Sequence, residues 1–206
     1  MKTKYAAIVL AAGLSSRLEG FKPLLSMGGE TITDHVVSTF LANGVEVYLV
    51  VGWRRQELMA GIKNKNITIV ENPDYRQGMF TSVQAGLRHL PPNYAAFFAM
   101  PVDIPLVRPS TVAGLLSVAA EHPDSIIYPV FGGRRGHPTL VPLCLAPAIM
   151  DWKGDGGLKA VLDSRREMAL EVAVTDSNIL FDVDTSEDYR VLLERFQRDD
   201  MPTASD

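Results

Sequence analysis

The sequence predicts an α/β protein, a three-layer sandwich with a mostly parallel, mixed sheet and helices on both faces. Three observations predict it. Strand-like and helix-like segments alternate along most of the chain, and repeated β-α-β order builds a parallel sheet. Residues 5–12 (YAAIVLAA) and 95–100 (AAFFAM) are apolar runs without polar alternation, the pattern of strands buried on both faces. The chain has 206 residues, 47% hydrophobic and 21% charged, which suits one generous globular domain.

After the first strand, residues 31–42 (TITDHVVSTFLA) carry helical spacing, with Thr31 as cap and Gly44 as stop. Residues 45–51 (VEVYLVV) read as a second strand, 54–62 as a short amphipathic helix and 67–70 as a third strand. A helix over 80–90 ends at Pro91-Pro92. After strand 95–100 comes a helix over 109–121, with proline at its favoured first position. The rhythm then changes. Residues 126–130 and 139–141 read as a strand pair around the basic, glycine-rich stretch 131–137. A helix over 158–162, a strand over 170–174, a short strand over 179–181 and a terminal helix over 186–196, which Ser186 can cap, complete a single domain of residues 1–197. Residues 198–206 read as a flexible tail.

Composition narrows the function. A single cysteine, Cys144, excludes an internal disulfide and any multi-thiolate metal site, and its apolar neighbours mark it as a small core residue. A net charge of −4 leaves no broad basic face for nucleic acid. No apolar run approaches the ~20 residues of a membrane helix. The first apolar run leads into a Gly/Ser/Arg loop rather than a cleavage site, so the expected location is the cytoplasm.

Ligands of parallel sheets bind beyond the carboxyl ends of the strands. The loop after the first strand is rich in small residues and cations. Leu10, Ala11, Ala12 and Gly13 admit close approach to the backbone, Ser15 and Ser16 offer donors to phosphate, and Arg17 and Lys22 add charge. Neither a dinucleotide fingerprint nor a Walker loop is present. Asp103 follows the 95–100 strand between Pro101 and Pro105, where a carboxylate can hold Mg²⁺ or cap a loop. Asp182 and Asp184 lie two apart after the 179–181 segment, so in extended chain both point one way. The alternative is that either caps the next helix. Gly78, Thr81 and Ser82 open the 80–90 helix, where the hydroxyls can meet a ligand or simply cap. Arg135 and His137 form a cationic turn suited to an anionic acceptor, with Arg134 a solvated neighbour. His35, His89, His122, Trp53 and Trp152 read as packing or surface residues.

These strings, in this order, resemble one family across nearly the whole chain. LAAGLSSRLEGFK (10–22), GMFTSVQAG (78–86), MPVDIPL (100–106), RGHP (135–138), GDGG (154–157) and DVDTSED (182–188) are similar to the segments of the Rossmann-like nucleotidyltransferases. The likeness is strongest to the branch that contains the molybdenum cofactor cytidylyltransferases. Leu18-Glu19-Gly20, Ile104 and Ser186 depart from that branch's commoner residues. The resemblance implies a Mg²⁺-dependent enzyme, with Mn²⁺ as an alternative, that joins CMP from CTP to molybdopterin and releases pyrophosphate. It implies Asp103 and Asp184 as metal ligands, Arg17 on the β- and γ-phosphates, Lys22 on the α-phosphate and the 78–86 segment on base and ribose. Arg135, His137, Asp155 and Asp182 are expected on the acceptor side. The guanylyl-transferring branch usually reads LAGG where this chain has LAAG, so Ala12 favours a pyrimidine. Expected partners are these small molecules and a molybdoenzyme or its maturation chaperone, with neither nucleic acid nor membrane. The expected oligomeric state is a monomer or weak dimer. Two other readings stay open: another phosphorylated acceptor, such as phosphocholine or a sugar or polyol phosphate, and a non-catalytic nucleotide-binding module.

Overall fold

The computed structural model describes residues 3–14 and 20–199. Strand β1 (Tyr5–Ala11) runs through the middle of an eight-stranded sheet. Its side chains divide alternately between two cores, Ala7, Val9 and Ala11 entering one and Ala6, Ile8 and Leu10 the other. A small hairpin of β2 (Ser26–Met27) and β3 (Glu30–Thr31) leads into α1 (Ile32–Leu41). Then come β4 (Glu46–Val51), α2 (Arg55–Gly61), β5 (Thr68–Glu71), α3 (Met79–His89), β6 (Ala96–Pro101) and α4 (Pro109–Glu121). The second half holds β7 (Ile126–Phe131), β8 (Arg134–Arg135), β9 (Thr139–Pro142), α5 (Ala146–Asp151), α6 (Gly157–Asp163), β10 (Ala169–Ala173) and α7 (Ser186–Asp199).

The strand order is β10-β7-β9-β6-β1-β4-β5, with β8 paired to β7. Pairings β1–β4, β1–β6, β4–β5 and β7–β10 are parallel, whereas β9 runs antiparallel to both β6 and β7. The carboxyl ends of β1, β4, β5, β6 and β7 therefore share one edge. One face carries α1, α2, α4 and α7 through Phe40, Leu58, Leu115 and Leu192. The other carries α3, α5 and α6 through Val83, Ile149 and Val161. Phe40 and Phe98 are fully buried with ring centroids 5.3 Å apart; burial of each contributes ~1.5–3 kcal/mol. Thr31 caps α1 as predicted, in a reciprocal capping box with Asp34. At the crossing of α3 over β1, a Cβ on Gly86 would lie 2.5 Å from Ile8 Cγ2. That close approach brings the start of α3 to the carboxyl end of β1. Among the described residues, no helix is long and apolar enough to cross a membrane.

The structure corrects several expectations. The expected strand over 179–181 is a 3-10 turn, Ser177–Leu180, capped by Asp176, whose carboxylate accepts from Asn178 N at 3.1 Å. A short apolar run does not distinguish a strand from a turn that buries part of it, and within 179–181 only Ile179 is buried, beside Asn178. Helix α7 is capped by Thr185 rather than Ser186: Asp188 N donates to Thr185 Oγ1 at 3.2 Å, and Thr185 N donates to the Asp188 carboxylate at 2.7 Å. The same helix continues through Asp199, into the segment read as tail. The expected 126–130/139–141 strands are neighbours in the sheet, but their ladder pairs only Ile127 with Leu140. Strand β9 pairs mainly with β6, and β7 forms its hairpin with β8. Cys144 is exposed on a 3-10 turn, where Leu145 takes the buried place instead.

Candidate active site

The end of β1 opens onto a cavity of about 340 Å³. Leu10, Ala11, Ala12 and Gly13 line it, with Lys22, Gly78 and Ser82. The expected phosphate ligands Ser15, Ser16 and Arg17 lie outside the described residues. Ser82 is buried, and Asn72 Nδ2 donates to both Thr81 Oγ1 and Ser82 Oγ at 2.9 Å. Thr81 also donates to the Gly78 carbonyl at 2.9 Å, so its hydroxyl serves the helix start. Asn72 in turn holds its own loop by accepting from Asp74 N at 3.0 Å.

Lys22 sits on a 3-10 turn, Lys22–Leu24, that is fixed from several sides. Proline at position 23 limits the backbone, and Thr33 Oγ1 donates to the Pro23 carbonyl at 2.6 Å. Phe21 packs edge-on against Trp53 at 5.5 Å, with the Arg54 guanidinium over both rings. This footing presents the Lys22 ammonium to two carboxylates, 2.8 Å from Asp184 Oδ1 and 3.3 Å from Asp103 Oδ2. The two acids come from distant stretches joined by backbone. Val183 N donates to the Asp103 carbonyl at 2.9 Å, and Val102 N to the Leu10 carbonyl at 3.2 Å. Burial pushes the Asp103 carboxyl above the usual range; Lys22 draws it back only in part, and Asp184 opposes that pull.

No group of three or more His, Cys, Asp or Glu side chains is placed to hold a metal among the described residues. A two-carboxylate site that relies on substrate phosphates and water is the arrangement Mg²⁺ favours. The ammonium standing between Asp103 and Asp184 marks a position already built to hold positive charge, so the pair fits a divalent cation.

Two cavities of about 590 Å³ each continue from there. The first holds Lys22, Asp103, Asp182 and Asp184 beside Arg134 and His137. The second is walled by Phe80, Val83, Tyr128, Leu158 and Leu162, with Thr139 among them. They meet along Met79, Pro101, Arg135, Gly136 and His137. Arg135 pairs with Glu171 at 2.7 Å and lies 4.2 Å over the Tyr128 ring. Burial holds the His137 imidazole below its usual range, against the upward pull of the Ala99 carbonyl, Asp103 and Asp182. Its Nδ1 is buried with no hydrogen-bond partner among the described residues. Asp155 is exposed and lines none of these three cavities; its carbonyl accepts from Trp152 Nε1 at 3.4 Å, while Gly156 and Gly157 form cavity wall instead.

Sequence reasoning brought together Lys22, Asp103, Asp182, Asp184, Arg135 and His137. It missed Asn72, Tyr128 and Thr139, and did not single out Met79 within the 78–86 segment. Met79 carried a usable signal, as an apolar residue at a helix start beside Gly78. It is 61% exposed and lines all three cavities.

The chain is similar to several known proteins. The model of the MobA-like NTP transferase domain matches residues 7–169. The chain is 32% identical over 191 residues to the molybdenum cofactor cytidylyltransferase of Escherichia coli (strain K12), covering 92% of this chain and 95% of that protein. It is 31% identical over 196 residues to the nicotine blue oxidoreductase of Paenarthrobacter nicotinovorans, covering 90% and 95%. Among solved structures it is similar to Rv0371c from Mycobacterium tuberculosis H37Rv, at 26% identity and a TM-score of 0.82, covering 94% of this chain and 100% of that one. The same protein has been solved in complex with manganese; that structure has a TM-score of 0.79 at 25% identity, again covering 94% and 100%.

Proposed function

The chain belongs to the MobA-like NTP transferase family and is a nucleotidyltransferase, and we propose that it moves CMP from CTP to the terminal phosphate of molybdopterin. The observation that carries this reading is the Lys22–Asp103–Asp184 cluster, set where the β1-loop cavity meets the carboxylate cavity beside it. Triphosphate belongs against the β1 loop, and the acceptor belongs on the side of Arg135 and His137. An acceptor phosphate oxygen attacks the α-phosphorus. The new P–O bond forms as the α–β bridging bond breaks, and pyrophosphate leaves with that electron pair. A phosphate monoester has a second pKa near ~6, so its nucleophile is ionised at neutral pH without a general base. Catalysis then rests on alignment and charge.

Lys22 is assigned to the α-phosphate and Arg17 to the β- and γ-phosphates. Asp103 and Asp184 would hold Mg²⁺, with Mn²⁺ as alternative; when bound, that ion neutralises phosphate charge in the reacting complex. Arg135 and Arg134 face the acceptor phosphate, while Asp182 borders the same cavity. The carbon-rich wall of Phe80, Val83, Leu158 and Leu162 suits the flat body of a pterin better than a small choline or polyol chain. Ala12, where the guanylyl-transferring branch usually has glycine, lines the β1-loop cavity, so CTP should exceed GTP by about tenfold or more in kcat/KM, ~1.4 kcal/mol.

The test is a matrix of four nucleoside triphosphates against molybdopterin, phosphocholine, and sugar and polyol phosphates, read as pyrophosphate. CTP with molybdopterin should give the highest kcat/KM. Preference for a small phosphate ester would replace the acceptor, and preference for a purine triphosphate would replace the base. Nucleotide binding with no pyrophosphate from any pair would sink the reading.

A further inference from the structure

The Lys22 ammonium occupies the space between the two carboxylates assigned above to the metal, and only 11% of its side chain is exposed. A Mg²⁺ ion binds carboxylate oxygens at ~2.0–2.1 Å and needs room for water or phosphate around it. An ammonium already on those oxygens takes the same lone pairs and repels the ion. We infer that Lys22 is the resident counter-ion of the metal site, and that a divalent cation gains the carboxylates only when a nucleotide phosphate draws Lys22 away. The inference rests on the assignment of Asp103 and Asp184 under the proposed function.

Three features support the exchange. Asp103 is a mostly buried carboxylate, which needs a counter-charge in the free protein, and Lys22 supplies it. The backbone of Lys22 is pinned, through Thr33 on Pro23 and through Leu25 N on the Lys22 carbonyl at 3.1 Å, so only the side chain has to move. Lys22 also lines both the carboxylate cavity and the β1-loop cavity, so an anion in the latter is within the reach of the same side chain. Binding is then coupled. Nucleotide raises the affinity for the cation, and by linkage the cation raises the affinity for nucleotide by the same factor. The free protein stays in a pre-aimed, charge-paired state rather than collecting metal alone.

The experiment titrates Mn²⁺ into the 206-residue chain at pH 8, following free Mn²⁺ by electron paramagnetic resonance, without nucleotide and with α,β-methylene-CTP. Lys22→Met should bind nucleotide-free Mn²⁺ at least about tenfold more tightly than wild type, while Lys22→Arg should stay as weak as wild type. The analogue should raise Mn²⁺ affinity at least about tenfold more in wild type than in Lys22→Met. Should Lys22→Met fail to fold, Lys22→Gln carries the same comparison. Equal or weaker nucleotide-free binding in the folded variant overturns the inference. Asp103→Asn separates the two ideas. If it leaves Mn²⁺ binding with the analogue unchanged, the metal assignment itself falls and the inference with it. If it abolishes that binding while Lys22→Met matches wild type, only the role of Lys22 is wrong.

Discussion

Gly136 joins the 134–137 turn to the segment that carries Asp182 and Asp184, and alanine there should damage both stability and turnover. Gly136 N donates to the Pro129 carbonyl and His137 N to the Ile179 carbonyl, each at 2.9 Å. A Cβ on Gly136 would stand 2.7 Å from Ile179 Cγ1 and 2.9 Å from the Ile179 carbonyl carbon, and closer still to its oxygen. The obstacle is backbone, so no rotamer change clears it. Its φ is not left-handed, so the clash alone sets the cost. Overpacking of this kind costs about 1–3 kcal/mol, and a strained His137–Ile179 hydrogen bond adds about 1 kcal/mol. The sum, about 2–4 kcal/mol, lowers Tm by roughly 5–15 °C for a chain this size. Relief must come from moving the 177–184 segment, and a misplacement of ~1 Å costs about 10² in turnover. Calorimetry and pyrophosphate release with CTP and molybdopterin measure the two effects. Gly114→Ala is the control: it lies on exposed helix surface with nothing within 4 Å of its Cβ, and should gain about 0.5–1 kcal/mol. Wild-type Tm and kcat in Gly136→Ala would refute the claim that this glycine sets the geometry.

Three further outcomes are expected. Asp103→Asn should keep its fold, because Lys22 retains Asp184 at 2.8 Å, and lose about 10²–10³ in turnover at saturating Mg²⁺; near-wild-type turnover would remove Asp103 from the reaction. His137→Ala should raise the acceptor KM at least about tenfold more than the CTP KM, since a hydrogen bond to a charged group is worth ~1.5–3 kcal/mol; the reverse split would move His137 to the nucleotide side. Asp34 is fully buried and accepts from Lys63 N at 2.8 Å and Asn64 N at 2.9 Å. Burial works to raise its pKa, but these bonds and those from Thr31 outweigh it and hold the carboxyl low. Its contribution is therefore present above the unfolded value of ~3.9 and lost as pH falls through the lower folded value. Asp34→Ala should cost about 3 kcal/mol at pH 7, with the Tm gap to wild type closing only below about pH 4; a gap that closes already at pH 6 would contradict the assignment.

The parts of the molecule that were legible in sequence are those where physics leaves one option. The 5–12 and 95–100 runs could be little but strands buried on both faces, and β1 and β6 lie side by side in the sheet. Thr31 followed by Asp34 is a capping box in sequence and in structure. Where two options cost nearly the same, local reading failed. Thr185 and Ser186 are adjacent hydroxyls and either suits a cap; the choice falls to Thr185 because Asp188 lies three residues on and returns the bond. Residues 179–181 are as apolar as a strand, but the Asp176 carboxylate holds Asn178 N and Arg108 N together and closes a turn.

The site divides along the same line. A carboxylate or an ammonium beside a strand end must be paired, solvated or used, so Lys22, Asp103 and Asp184 draw attention singly. That they meet could not be read locally, since Lys22 is 81 residues from Asp103 and 162 from Asp184. Carbon carries no such signal. Phe80, Val83, Tyr128 and Leu162 are ordinary core residues in any window of sequence, and only topology gathers them. The antiparallel register of β6 with β9 sets Ala99 beside Thr139, and the crossing at Gly86 carries the start of α3 toward the end of β1. The resemblance of the 154–157 string pointed to Asp155, whereas the start of α6 brings its neighbours Gly156 and Gly157 to the wall. The carbon wall is therefore written in pairing register and helix approach, whereas the charged cluster is written in residue type.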